Sequence, residues 1–286
     1  MKLVRYGPAG KEKPGLIDAD GKLRDLSKKV KDIDAATLAP AKLRELAKLD
    51  ARRLPLVKGR PRLGACVATP SKFVAIGLNY ADHAAEAGMA IPANPVVFFK
   101  SPTCIVGPND AIMLPPDSKA TDWEVELGVV IGRTARHVAE KDALRYVAGY
   151  CVINDVSERD YQLKHGGSQW NKGKGCDTFG PLGPWLVTTD EIRDPQKLGM
   201  WLDVNGVKKQ RGSTKTMIFG VAAVVADVSR YMTLLPGDVI TTGTPPGVGM
   251  GMKPTAQYLE AGDVVTLGIE GLGLQTQKVV AYKARR

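Results

Sequence analysis

The stretch Thr121-Asp122-Trp123-Glu124-Val125-Glu126-Leu127-Gly128-Val129-Val130-Ile131 constrains the fold more than any other, because it sets two acids one residue apart inside an apolar run. Such a run reads as a β-strand. Side chains alternate faces along a strand, so Glu124 and Glu126 share one face while Trp123, Val125 and Leu127 share the other. A second apolar segment ends Val152-Ile153-Asn154-Asp155. Two carboxylates side by side in such a strand repel each other and lose hydration, an arrangement that is stable when a cation neutralises them. Glu124, Glu126 and Asp155 offer three hard oxygen ligands of the kind that suits Mg2+ or Mn2+, with positions left for water or substrate. The alternative is the solvent-facing side of a half-exposed strand, where alternating acids need no ion.

The net charge of +10 invites a nucleic-acid reading, and its distribution argues against one. Residues 1–62 hold 17 lysines and arginines against 8 acids, so nearly all of the excess sits there. That segment has a single aromatic, Tyr6, and therefore no stacking platform for unpaired bases. Its lysines alternate with Asp and Leu, which fits a solvated basic surface. No apolar run is long enough to span a membrane. The start of the chain lacks the apolar stretch of a signal peptide, so a cytoplasmic location is expected. Cys66, Cys104, Cys151 and Cys176 are far apart and form no Cys-x-x-Cys, which fits reduced thiols better than a zinc module or a disulfide scaffold.

Short strands are expected near 3–6 and 15–18 and a helix near 41–49, before Pro55, Gly59, Pro61 and Gly64 break the pattern. This predicts a small strand-rich N-terminal domain over 1–65 and a larger domain over 66–286. The larger part is rich in short strands, including 73–77, 96–99, 123–131, 147–154 and 263–269. Helices are expected near 80–88, 140–146, 155–164 and 216–230. Strands and helices do not alternate, and no phosphate-binding glycine turn appears. The fold class expected is α+β, with a mixed, mostly antiparallel, rolled sheet.

Several other groups could carry chemistry. In Gly77-Leu78-Asn79-Tyr80-Ala81-Asp82-His83-Ala84-Ala85-Glu86, Asn79 or Asp82 could cap a helix on which His83 and Glu86 are neighbours. A carboxylate beside an imidazole raises its basicity and suits a general base, although an exposed histidine with an incidental neighbour fits as well. On a helix, Asp155, Arg159 and Gln162 share a face, and a guanidinium with an amide there could grip a carboxylate substrate. Lys174 lies in the Gly-rich Lys172–Pro181 segment, which reads either as a site loop stabilising a developing oxyanion or as a surface turn. Thr244 belongs to a rigid turn, Thr241-Thr242-Gly243-Thr244-Pro245-Pro246-Gly247, that could line an anion pocket.

Taken in order, these blocks resemble the fumarylacetoacetate hydrolase family. They are Gly-Leu-Asn-Tyr-Ala-Asp-His-x-x-Glu, Glu-x-Glu, Asn-Asp-x-Ser-x-Arg-Asp-x-Gln, Lys-Gly-x-Asp-Thr-Phe-Gly-Pro and Thr-Gly-Thr-Pro-x-Gly-Val-Gly. The resemblance spans about residues 70–280. It implies a β-roll catalytic domain, usually dimeric, with Mg2+ or Mn2+ on Glu124, Glu126 and Asp155. It implies His83 and Glu86 as a water-activating pair on a lid, with Lys174, Arg159, Gln162 and Thr244 around a small 2-keto or 2,4-diketo acid. Arg5-Tyr6-Gly7-Pro8 and Trp170-Asn171-Lys172-Gly173-Lys174 resemble a bacterial subgroup containing 2,4-diketo-3-deoxy-L-rhamnonate hydrolase and proteins labelled ureidoglycolate lyase. The family also holds oxaloacetate decarboxylases and hydratases or isomerases of aromatic degradation, with which these ligands are shared.

Overall fold

The computed structural model describes residues 1–82, 90–167 and 169–283. The acid-bearing strand, Val125–Ile131, is buried along its whole length. It pairs antiparallel with Val147–Asn154 on one side and with Val239–Thr241 on the other. This central position explains its unbroken apolar face. The sheet continues beyond Val147–Asn154 through Gly180–Thr188 and beyond Val239–Thr241 through Phe73–Gly77 and Val96–Lys100. The Val239–Thr241 and Phe73–Gly77 pair is parallel, and its other neighbours along this path are antiparallel, so the sheet is mixed.

The segment expected to form an N-terminal domain supplies three strands at one edge of this same sheet. Lys2–Tyr6 pairs with Gly180–Thr188 through Lys2 opposite Val187 and Leu3 opposite Leu186, and Lys13–Ile17 and Leu23–Asp25 follow outward. Leu3, Leu16 and Leu26 lie in one apolar cluster with Val125, Leu127 and Val152.

A second sheet is built from Val207–Ser213, Gly199–Val204, Val264–Ile269, Gly273–Val280 and Ile112–Met113. Three buried glutamines from this sheet fasten it to the first. Gln210 accepts from the Val125 amide at 2.9 Å, Gln275 donates to the Val152 carbonyl at 2.8 Å, and Gln277 accepts from Asn154 Nδ2 at 3.1 Å. Each amide is buried with its partners in place, as buried polar groups must be. They hold the start of the strand at Val125 and the end of the strand at Asn154 in register, and those are the ends that carry the acids.

Helices are short. Val221–Tyr231 buries Val221, Val224, Val225 and Val228, an i, i+3, i+4, i+7 stripe. It begins five residues later than the pattern at 216–230 suggests, because Thr214–Thr216 forms a separate 3-10 turn. The expected helix over 155–164 is also shorter. Ser157–Glu158 first pairs with Thr121–Asp122, and the helix runs Arg159–Leu163 with Glu158 as its N-cap. No helix among the described residues is long and apolar enough to cross a membrane.

Candidate active site and metal centre

The backbone brings the three predicted ligands together before their side chains do. The Asp155 amide donates to the Glu124 carbonyl at 2.9 Å, and the Glu124 amide donates to Asn154 Oδ1 at 3.2 Å. Glu126 sits one pleat further along. Carboxylate oxygens of Glu124, Glu126 and Asp155 all lie within 4.8 Å of one another, and all three residues are buried.

Three buried cations surround them. Lys174 Nζ bridges Glu124 Oε2 at 2.7 Å and Asp155 Oδ2 at 2.8 Å. Arg159 donates from Nη2 to Glu124 Oε1 at 2.7 Å, from Nε to Asp122 Oδ2 at 2.8 Å and from Nη1 to Gln162 Oε1 at 3.0 Å. Lys100 Nζ stands 2.6 Å from Asp155 Oδ1 and also donates to the carbonyls of Val156 and Lys174. The charges divide the acids. Burial pushes Glu124 up, but Lys174 and Arg159 outweigh it and hold the carboxyl below the usual range. Glu126 accepts from Thr241 Oγ1 at 2.5 Å and from the Gly243 amide at 2.8 Å, and no cation among the described residues is bonded to it. Burial, then Asp155 and Glu124, push it well above the usual range. For Lys174, burial works against the charged form, and Asp155 and Glu124 more than offset it, so its ammonium is favoured.

The residues fit a hard divalent ion. Three buried carboxylates whose oxygens converge within 4.8 Å are the donor set that Mg2+ or Mn2+ takes.

These groups line a cavity of about 320 Å³, at the small end of the range for ligand sites. Phe98 and Trp170 meet edge to face at 5.2 Å and form part of its apolar wall. Gly77 makes room for that wall, since a Cβ there would sit 2.3 Å from the Trp170 ring. Of the residues expected around a substrate, Gln162 lines the cavity with its amide nitrogen unbonded among the described residues. Thr244 also lines it, but its hydroxyl already donates to the Val125 carbonyl and accepts from Gln210. The Arg159 guanidinium is largely committed to Asp122, Glu124 and Gln162, which leaves little of it for a bidentate grip on substrate. Lys174 ends a helical turn, Asn171–Lys174, where a loop was expected. The Asn79 side chain donates to the carbonyls of Phe219 and Thr242 and accepts from the Phe219 amide. His83 and Glu86 lie outside the described residues.

Sequence reasoning misses Lys100 and Asp122. Lys100 closes the apolar run Val96–Lys100, and a lysine at such a strand end is the only signal. Asp122 is hidden by its acidic neighbours. It accepts from Arg159 and from the amides of Gly249 and Met250, tying the guanidinium to the loop that lines the cavity. Removing one partner of a buried ion pair leaves the other uncompensated, so Lys100→Met is expected to lower stability by about 3 kcal/mol. Denaturant unfolding in chelator measures this, and an unchanged midpoint would show that Lys100 adds nothing to the site.

Residues 72–280 match the family profile described as fumarylacetoacetate (FAA) hydrolase C-terminal. A Burkholderia lata protein provisionally named a hydrolase is 61% identical over 277 residues, covering 97% of this chain and 98% of that one. Among solved structures, fumarylacetoacetate hydrolase from Exiguobacterium antarcticum is similar at 38% identity and a TM-score of 0.86. So are 2-hydroxyhepta-2,4-diene-1,7-dioate isomerase from Mycobacterium marinum, at 35% and 0.73, and maleylpyruvate hydrolase from Sphingobium sp. SYK-6 in complex with manganese(II) ion and pyruvate, at 27% and 0.82. Each of the three alignments covers 99% of this chain and 100% of the other.

Proposed function

The chain belongs to the fumarylacetoacetate hydrolase family, and from that premise we propose that it is a divalent-metal-dependent hydrolase cleaving a carbon–carbon bond of a 2,4-diketo acid. The observation that carries this reading is the buried Glu124, Glu126 and Asp155 cluster with Lys174 bridging two of its members. The similarity to a hydrolase complex with manganese(II) and pyruvate supports the same assignment.

Glu124, Glu126 and Asp155 would hold Mg2+ or Mn2+, which when bound supplies Lewis acidity toward a 2-keto acid. Gln162 offers its free amide nitrogen to the substrate, and Arg159 holds Glu124 and Gln162 in place. His83, assisted by Glu86, takes a proton from water, and the oxygen adds to the C4 carbonyl. The C3–C4 bond then breaks, and its electron pair passes into the pyruvyl fragment as an enolate. The Lys174 ammonium stabilises that charge in a site shielded from water. Protonation of C3 by the imidazolium gives pyruvate. The balance is one diketo acid and one water to one pyruvate, one carboxylate and one proton.

The N-terminal motif and the Trp170–Lys174 block favour the 2,4-diketo-3-deoxy sugar acids within this class, with 2,4-diketo-3-deoxy-L-rhamnonate giving pyruvate and lactate. A substrate panel tests the proposal. With Mg2+ or Mn2+ present, 2,4-diketo-3-deoxy sugar acids, acylpyruvates, fumarylpyruvate, oxaloacetate and ureidoglycolate are compared for pyruvate or glyoxylate release. Pyruvate release from a 2,4-diketo acid, lost in chelator and restored by metal, is expected. Turnover of oxaloacetate or ureidoglycolate alone would replace the hydrolase reading with a lyase.

A further inference from the structure

Resting on the diketo-acid hydrolase reading but departing from its sugar-acid refinement, we infer that Lys253 selects substrates that carry a second carboxylate, on the acyl fragment away from the 2-keto acid. Lys253 lines the same cavity as the three acids. The other two cations that line it are already matched. Arg159 is bonded to Asp122 and Glu124, and Lys174 to Glu124 and Asp155. Lys100, behind Asp155, is matched as well. Lys253 has no ion pair or hydrogen bond among the described residues. It is exposed, whereas Glu124, Glu126 and Asp155 are buried, so the cavity runs from an acidic floor to a cationic rim.

The charge balance agrees with this placement. Among the described residues, the charged lining is three acids and three cations: Glu124, Glu126 and Asp155 against Arg159, Lys174 and Lys253. A divalent ion on the acids would leave this lining two charges positive, the complement of a dianion. A 2,4-diketo acid with a neutral acyl group supplies one negative charge, and one whose acyl group ends in a carboxylate supplies two. Phe98, Trp170 and Val248 give the cavity an apolar wall, which suits a carbon chain better than the hydroxyls of a sugar acid. Lysine holds a carboxylate as a compact point charge on a flexible stem, so it tolerates some variation in chain length.

The test compares an acylpyruvate ending in a carboxylate with its terminal amide of equal length, and with a 2,4-diketo-3-deoxy sugar acid. Wild type, Lys253→Met, Lys253→Arg and Lys253→Glu are assayed at saturating Mn2+. Wild type is expected to favour the carboxylate over the amide by about tenfold in kcat/KM, the value of one charge-assisted hydrogen bond at a partly solvated rim. Lys253→Met should bring that ratio near one, Lys253→Glu should invert it, and Lys253→Arg should keep most of it. Added salt should shrink the wild-type ratio. A ratio unchanged by Lys253→Met and Lys253→Glu overturns the inference, as does a wild-type preference for the sugar acid over the carboxylate. Calorimetric binding of the same pair to the Mn2+-loaded protein separates this inference from the function it rests on. If neither compound is cleaved but the acid binds more tightly through Lys253, the recognition site stands and the hydrolase reading fails.

Discussion

Glu126→Gln is expected to abolish turnover and to weaken divalent-metal binding by more than about a hundredfold, since groups that merely support a metal ligand are already worth about 10–100-fold. The metal-free protein should nevertheless be as stable as wild type or more so. Glu126 is buried beside Asp155 and Glu124 with no cation of its own, so its charge is unfavourable when no ion is bound. A glutamine keeps an oxygen to accept from Thr241 and the Gly243 amide. Glu124→Gln should behave differently. Its carboxylate is the shared partner of Lys174 and Arg159, and neutralising it leaves two buried cations short of an anion. A loss of about 3 kcal/mol is expected there even without metal. Calorimetric titration with Mn2+ and denaturant unfolding in chelator measure the two effects. Wild-type Mn2+ affinity in Glu126→Gln would remove Glu126 from the metal site.

His83→Ala is expected to cost about two to four orders of magnitude in diketo-acid cleavage, the usual range for losing a general base. Hydrolysis needs an activated water, and His83 with Glu86 is the pair that the sequence offers for it. Any side activity on oxaloacetate needs chiefly an electron sink and should fall much less. Both rates are compared at saturating metal, so that altered metal affinity does not pass for lost base catalysis. Equal losses on the two substrates would assign His83 to a step that both reactions share, such as closure over the site.

The geometry of the acidic cluster is legible because it follows from strand periodicity. Glu124 and Glu126 alternate onto one face, and Asn154-Asp155 ends the neighbouring strand in a register that puts Asp155 beside Glu124. Local patterns therefore placed the cluster correctly. What they did not give was the charge around it. From sequence the two glutamates look equivalent, whereas in the fold one is bonded to Lys174 and Arg159 and on the other the repulsion of Asp155 and Glu124 outweighs the pull of Lys174. That difference depends on residues 35 and 50 positions away. Lys100 was invisible for the same reason, since its partner Asp155 lies 55 positions on. Helical spacing does not report the partners of Arg159. Ser157–Glu158 pairs with Thr121–Asp122 before the helix starts, and the guanidinium bonds to Asp122 and Glu124. The N-terminal segment looks separable because Pro55, Gly59, Pro61 and Gly64 break the pattern after it, and its strands hydrogen-bond into the main sheet, a long-range pairing that no local pattern reports.

The most direct measurement is product analysis on metal-stripped protein given an acylpyruvate, before and after Mn2+ is added. The account predicts no reaction before addition. After it, pyruvate and the matching carboxylic acid should appear in equal amounts, with one proton released per turnover. Pyruvate formation at the same rate without metal would contradict the account, and so would a metal-dependent product that keeps all the carbon atoms of the substrate in one molecule.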